Sequence, residues 1–125
     1  MDIGIEVLLG TTLKQIELDH YEILFILDDG RSFKMTHYQD CCENVYVEDI
    51  IGDINSLLNS PIMMAEKSTN YDNPKKGFHE DSYTWTFYKL ATVKGYVTIR
   101  WYGESNGYYS EEVEIEEIKR IKKGD

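Results

Sequence analysis

The run YEILFILD, residues 21–28, is rich in β-branched and aromatic types and predicts a strand. Asp29 and Gly30 follow it, and a DG pair between two extended segments predicts a tight hairpin, because glycine tolerates positive φ. RSFKMTHY should then return antiparallel, with Phe33 and Met35 on one side. Upstream, TTLKQIELD has no clean alternation, since Leu13 and Ile16 differ in parity.

A different period governs the next stretch. Val47, Ile50, Ile51, Ile54, Leu57 and Leu58 recur at helical spacing, with Glu48, Asp49, Asp53, Asn55 and Asn59 between them, which predicts one amphipathic helix over about residues 47–59. Acidic residues in its first turn suit the helix dipole, and Pro61 would end it. PIMMAEK reads as a short strand, residues 67–82 as a polar loop long enough to be mobile, and YTWTFYKLAT and YVTIRWYGE as two strands joined through Lys94 and Gly95. Asn106 and Gly107 predict a further tight turn, and EEVEIEEIKRIKKGD a last strand or helix with a basic end. The expected fold is α+β over a single domain, residues 1–125: a mostly antiparallel sheet of five to seven strands with the helix packed on one face.

The segment from 82 to 103, SYTWTFYKLATVKGYVTIRWYG, carries the most suggestive chemistry. With Lys94 and Gly95 as the turn, Leu90 lies opposite Ile99, Tyr88 opposite Trp101, Lys89 opposite Arg100 and Phe87 opposite Tyr102. Alternation then sends Tyr88, Leu90, Val97, Ile99 and Trp101 to a core face, and Trp85, Phe87, Lys89, Thr98, Arg100 and Tyr102 to the other. Two cations side by side repel unless an anion bridges them. A nucleotide would do so, its base stacking on the rings and its phosphates bonding to Lys89 and Arg100. Glu104, Glu112 or Glu114 would serve equally on a solvated face, and the rings would also suit an oligomer interface. Asn106, Tyr108 and Tyr109, on the turn beyond, would be natural lips for a pocket.

Charge narrows the function classes. The 125 residues contain 23 Asp and Glu against 13 Lys and Arg, a formal net charge of -10, which argues against binding a nucleic acid polymer through the surface as a whole. No apolar run approaches a membrane span, and the N-terminal stretch lacks the basic region of a secretory signal, so the expectation is a cytoplasmic protein without a membrane partner. Adjacent Cys41 and Cys42 make a strained disulfide pair, and with His37 they are weak metal candidates, because structural zinc prefers ligand pairs separated by two or more residues. Asp40 and Glu43 flank them and disfavour a reactive thiolate. His20 and His79 stand alone, as surface or strand-end residues. The chain has no glycine-rich phosphate loop, GxSxG or HExxH, which favours a binding protein over an enzyme and implies no cofactor.

HYQDCCENVYVEDIIGDINSLL together with YTWTFYKLATVKGYVTIRWYGESNGYYSE resembles a family of small uncharacterised proteins of Firmicute phages and prophages, over roughly residues 10–115. The resemblance brings no catalytic residues with it. It implies a small phage protein in the host cytoplasm that counteracts bacterial immunity, and the many rings for one small domain separately predict a homo-oligomer. The first expectation is sequestration of a nucleotide-derived signal by Trp85, Phe87, Lys89, Arg100, Tyr102, Asn106, Tyr108 and Tyr109. The alternative is direct inhibition of a host defence protein by an acidic surface of Glu48, Asp49, Asp53 and the Glu111 to Glu117 run, and a nucleotide-processing enzyme is third.

Overall fold

The computed structural model describes residues 2–38, 43–72, 82–105 and 111–118. Eight strands run through them in chain order: β1 Leu13–Leu18, β2 Glu22–Leu27, β3 Ser32–Thr36, β4 Glu43–Ile51, β5 Met64–Asp72, β6 Ser82–Thr92, β7 Gly95–Ser105 and β8 Glu114–Glu117. They form two four-stranded antiparallel sheets, one ordered β1-β2-β3-β8 and the other β4-β7-β6-β5. The sheets share one core. Phe25, Phe33, Met35 and Ile115 come from the first, and Tyr88, Leu90, Val97, Ile99 and Trp101 from the second. Trp101 spans the interior, its Nε1 donating to Met35 Sδ at 3.2 Å.

The antiparallel expectation holds, although the single sheet of five to seven strands is replaced by two sheets of four, and the DG hairpin forms: β2 pairs with β3 from Glu22–Thr36 to Ile26–Ser32. The amphipathic helix does not. Residues 43–51 are strand β4, and only a four-residue 3-10 turn, Ile54–Leu57, follows. Among the described residues the only helical segments are that turn and a second one at Ile5–Leu8.

Two local causes produced the false period. A bulge between Val47 and Asp49 inserts Glu48, so Val47 opposes Trp101 and Ile50 opposes Ile99 on the core face although they lie three residues apart. Gly52 then sits at φ 108 against Tyr96, where an added Cβ would meet the Tyr96 carbonyl oxygen at 2.5 Å, and a backbone at this positive φ cannot continue as a right-handed helix. The β-branched Val47, Ile50 and Ile51 suit the strand. A bulge between Leu13 and Gln15 likewise explains the broken parity of β1, placing Leu13 opposite Leu27 and Ile16 opposite Phe25. The polar loop expected over 67–82 is also shorter than foreseen, because β5 runs in register with β6 through Asp72.

The β6–β7 hairpin turns one residue earlier than expected. Thr92 pairs with Gly95, leaving Val93 and Lys94 as the turn, and Lys94 N donates to Thr92 Oγ1 at 3.1 Å. Gly95 is needed in the strand itself, because a Cβ there would fall 2.7 Å from Ser56 Oγ of the 3-10 turn packed beneath it.

Candidate functional site

Moving the turn changes every partner by two residues and preserves parity. Trp85 opposes Tyr102, Phe87 opposes Arg100 and Lys89 opposes Thr98, so the expected ring-and-cation set does share the outer face of the second sheet. Lys89 and Arg100 are diagonal rather than opposite, and the pairing that seemed to demand a bridging anion does not exist.

Each cation instead faces carboxylates from an edge strand. Arg100 Nε donates to Glu48 Oε1, and Arg100 Nη2 lies 3.6 Å from Asp49 Oδ2. The bulge in β4 is what brings two consecutive acidic residues to this guanidinium. On the other side, the register sets Glu66 of β5 directly opposite Lys89. Glu104, one of the expected partners of the cations, accepts from Tyr102 Oη at 3.3 Å. Burial first, and then the neighbouring Glu104, push the Tyr102 phenol above its ordinary pKa, so it stays a neutral donor.

The rings form a connected row across three strands. Trp85 and Tyr102 have centroids 4.6 Å apart, Tyr83 stacks on Tyr102 at 6.2 Å, and Tyr46 of β4 meets Tyr102 edge-on at 5.8 Å. His20, from the β1–β2 turn, stacks on Tyr46 at 4.9 Å and carries the row beyond the sheet. The Arg100 guanidinium lies over Trp85, 5.6 Å from its centroid. Tyr83, Trp85, Phe87, Arg100 and Tyr102 are all half-buried, supported from the side and open outward. Tyr46, Tyr83 and His20 were not foreseen, although Tyr83 shares the parity of Trp85 and Phe87. Asn106, Tyr108 and Tyr109 lie outside the described residues, as do Cys41, Cys42 and His79.

A second polar group is buried at one end of the sandwich. Glu111 accepts from Thr84 Oγ1 and Ser105 Oγ, both at 2.5 Å, so the two hydroxyls occupy both of its carboxyl oxygens. His37 Nδ1 donates to the Glu112 carbonyl at 2.8 Å, and Nε2 lies 3.0 Å from Glu43 Oε1. Both ring nitrogens are thus engaged within the fold. Among the described residues no three His, Cys, Asp or Glu side chains converge as metal ligands. Glu111 is 7% exposed and therefore leaves the acidic surface in which it was first placed. Parity could have revealed both positions: Glu111 alternates in step with Val113 and Ile115, and His37 with Phe33 and Met35.

These features define an all-β protein of two packed antiparallel sheets, with an open, ring-lined and internally charge-paired face on one of them. The chain belongs to the family defined by a domain of unknown function, DUF7448, whose model matches residues 6–115. No curated protein and no solved structure matches it. No helix among the described residues is long and apolar enough to cross a membrane.

Proposed function

We propose that the chain is a non-catalytic binding protein that grips another protein, a host defence protein, through the outer face of β4, β7, β6 and β5, a reading that its resemblance to phage and prophage proteins supports. The observation carrying this reading is that Arg100 is already satisfied by Glu48 and Asp49 while the surrounding rings stay half-open. A phosphate would have to displace those carboxylates, on a face that also presents Glu66 and Glu104. A protein surface needs no such displacement. Clustered Trp, Tyr and Arg side chains are what anchor protein interfaces, and an acidic rim suits a basic partner.

Sequestration of a nucleotide-derived signal is the second reading, favoured by the stack of Arg100 on Trp85, which pairs a cation with a ring as a base-and-phosphate site would. One comparison separates the two. Tagged wild-type chain and a Trp85→Ala, Tyr102→Ala variant are used to capture proteins from host lysate, and the same pair is screened by melting shift against cyclic and ADP-ribose-type nucleotides. A protein retained by the wild type and lost from the variant, with no nucleotide shift, is the expected result. A nucleotide shift abolished by Arg100→Ala would overturn it in favour of sequestration.

A further inference from the structure

The two sheets have four edges, and they are not equally guarded. The outer side of β8 is taken by the N-terminal segment, with Ile3 N donating to the Ile115 carbonyl at 2.9 Å and Ile115 N donating to Asp2 Oδ1 at 3.0 Å. The start of β1 is covered by residues 58–61, through bridges from Thr12 to Pro61 and from Leu13 to Leu58, and the strand is bulged there. β4 is bulged at Glu48, and its Val47 N donates to the His20 carbonyl at 2.9 Å. These are the devices by which edge strands avoid recruiting another strand.

β5 is touched by the Ile5–Leu8 turn but, among the described residues, has no bulge and no backbone partner of this kind. It runs nine residues, Met64–Asp72, in unbroken register with β6, without proline or bulge, and among the described residues no backbone group pairs with its outer side. Its one inward-facing charge, Lys67, would ordinarily repel an incoming strand. Here that charge is drawn under the sheet: Lys67 Nζ donates to the Val113 carbonyl at 3.3 Å, lies 3.5 Å from Asp2 Oδ2 and sits over the Tyr88 ring.

From this edge we infer that the chain forms a two-fold dimer by antiparallel pairing of β5 with β5 of a second copy, making one continuous eight-stranded sheet. The strand is self-complementary about its centre. A two-fold axis through Ser68 sets Lys67 opposite Thr69 and Glu66 opposite Asn70, so no like charges meet directly, whereas an axis through Glu66 or Lys67 would oppose that residue to itself. The outer faces of the two copies then lie on the same side of the joined sheet. The inference does not depend on what the ring face binds.

Asn70 provides the test, because it is exposed, lies on the outer face and would sit opposite Glu66 of the other copy. The mass of the full chain is followed by sedimentation equilibrium from low to high micromolar concentration, for the wild type, Asn70→Glu and Asn70→Lys, with the melting temperature checking that each variant is folded. The wild type is expected to dimerise. Asn70→Glu should weaken the dimer roughly ten-fold and Asn70→Lys should strengthen it, since each contact occurs twice across the axis. A wild type that stays monomeric throughout, or a dimer on which the two substitutions do not act with opposite sign, overturns the inference.

Discussion

The two faces of the β6–β7 hairpin are built from the same 22 residues and have opposite fates. Inward, Tyr88, Leu90, Val97, Ile99 and Trp101 are completely buried, and even the Tyr88 hydroxyl is accounted for, donating to the Val113 carbonyl at 3.3 Å. Outward, Trp85, Phe87, Arg100 and Tyr102 touch one another and remain half-open. Burial of apolar surface holds the protein together on the first face. The second face contributes little to that and is free to be spent on recognition. Tryptophan appears once on each, so the same residue type can be read in both settings.

The sharpest way to break the comparison is therefore to remove each tryptophan in turn. Trp101→Ala should cost about 3–5 kcal/mol of unfolding free energy in a urea titration, through lost burial and the cavity left behind. Trp85→Ala should cost about 1 kcal/mol or less, because its ring is only half-buried and leaves no closed cavity. Equal losses would show that the outer ring row is a second core.

The buried end of the sandwich sharpens the contrast in a different way. Glu111→Ala leaves the Thr84 and Ser105 hydroxyls without their acceptor in a closed interior, a loss of about 1–3 kcal/mol by the same titration. Were Glu111 an ordinary surface acid, as its place in an acidic run suggests, the change would be close to zero.

A smaller effect concerns the rim where the core meets the β5 edge. Burial raises the pKa of Asp2, but the amides of Ile115 and Gly4 and the charge of Lys67 outweigh it and bring the carboxyl below its ordinary value of 3.8. The unfolded chain then binds the proton more tightly than the folded one, so this contribution is complete above the ordinary value and disappears as pH falls through the folded one. Asp2→Asn should be measurably less stable than wild type at neutral pH, and the gap should narrow below about pH 4. A gap that stays constant with pH would assign the loss to packing instead.

Much of this was legible in the chain because strand geometry is parity. The expected hairpin register was wrong by two residues, yet an even shift returns each side chain to its own face, so the core set and the ring set survived intact. An odd error entered at the two bulges, each adding one residue to one strand only. At β4 that single insertion turned a strand's period into a helix's, because Val47 and Ile50 then met the core at a spacing of three. Nothing local marks Glu48 as extra. The partner strand β7 decides it, by the register in which Arg100 meets Asp49.

The sequence by itself determined the antiparallel hairpins, the apolar face of the long hairpin and the set of rings and charges on its reverse, since alternation is a property of each strand alone. Only the tertiary structure decided that Arg100 is answered by Glu48 and Asp49, that Glu111 is sunk between Thr84 and Ser105, and that β5 is left as the open edge. Those outcomes depend on which strands become neighbours and where a bulge displaces one against another. Pairing between distant strands is fixed by the packing of the whole core, and no window along the chain contains it.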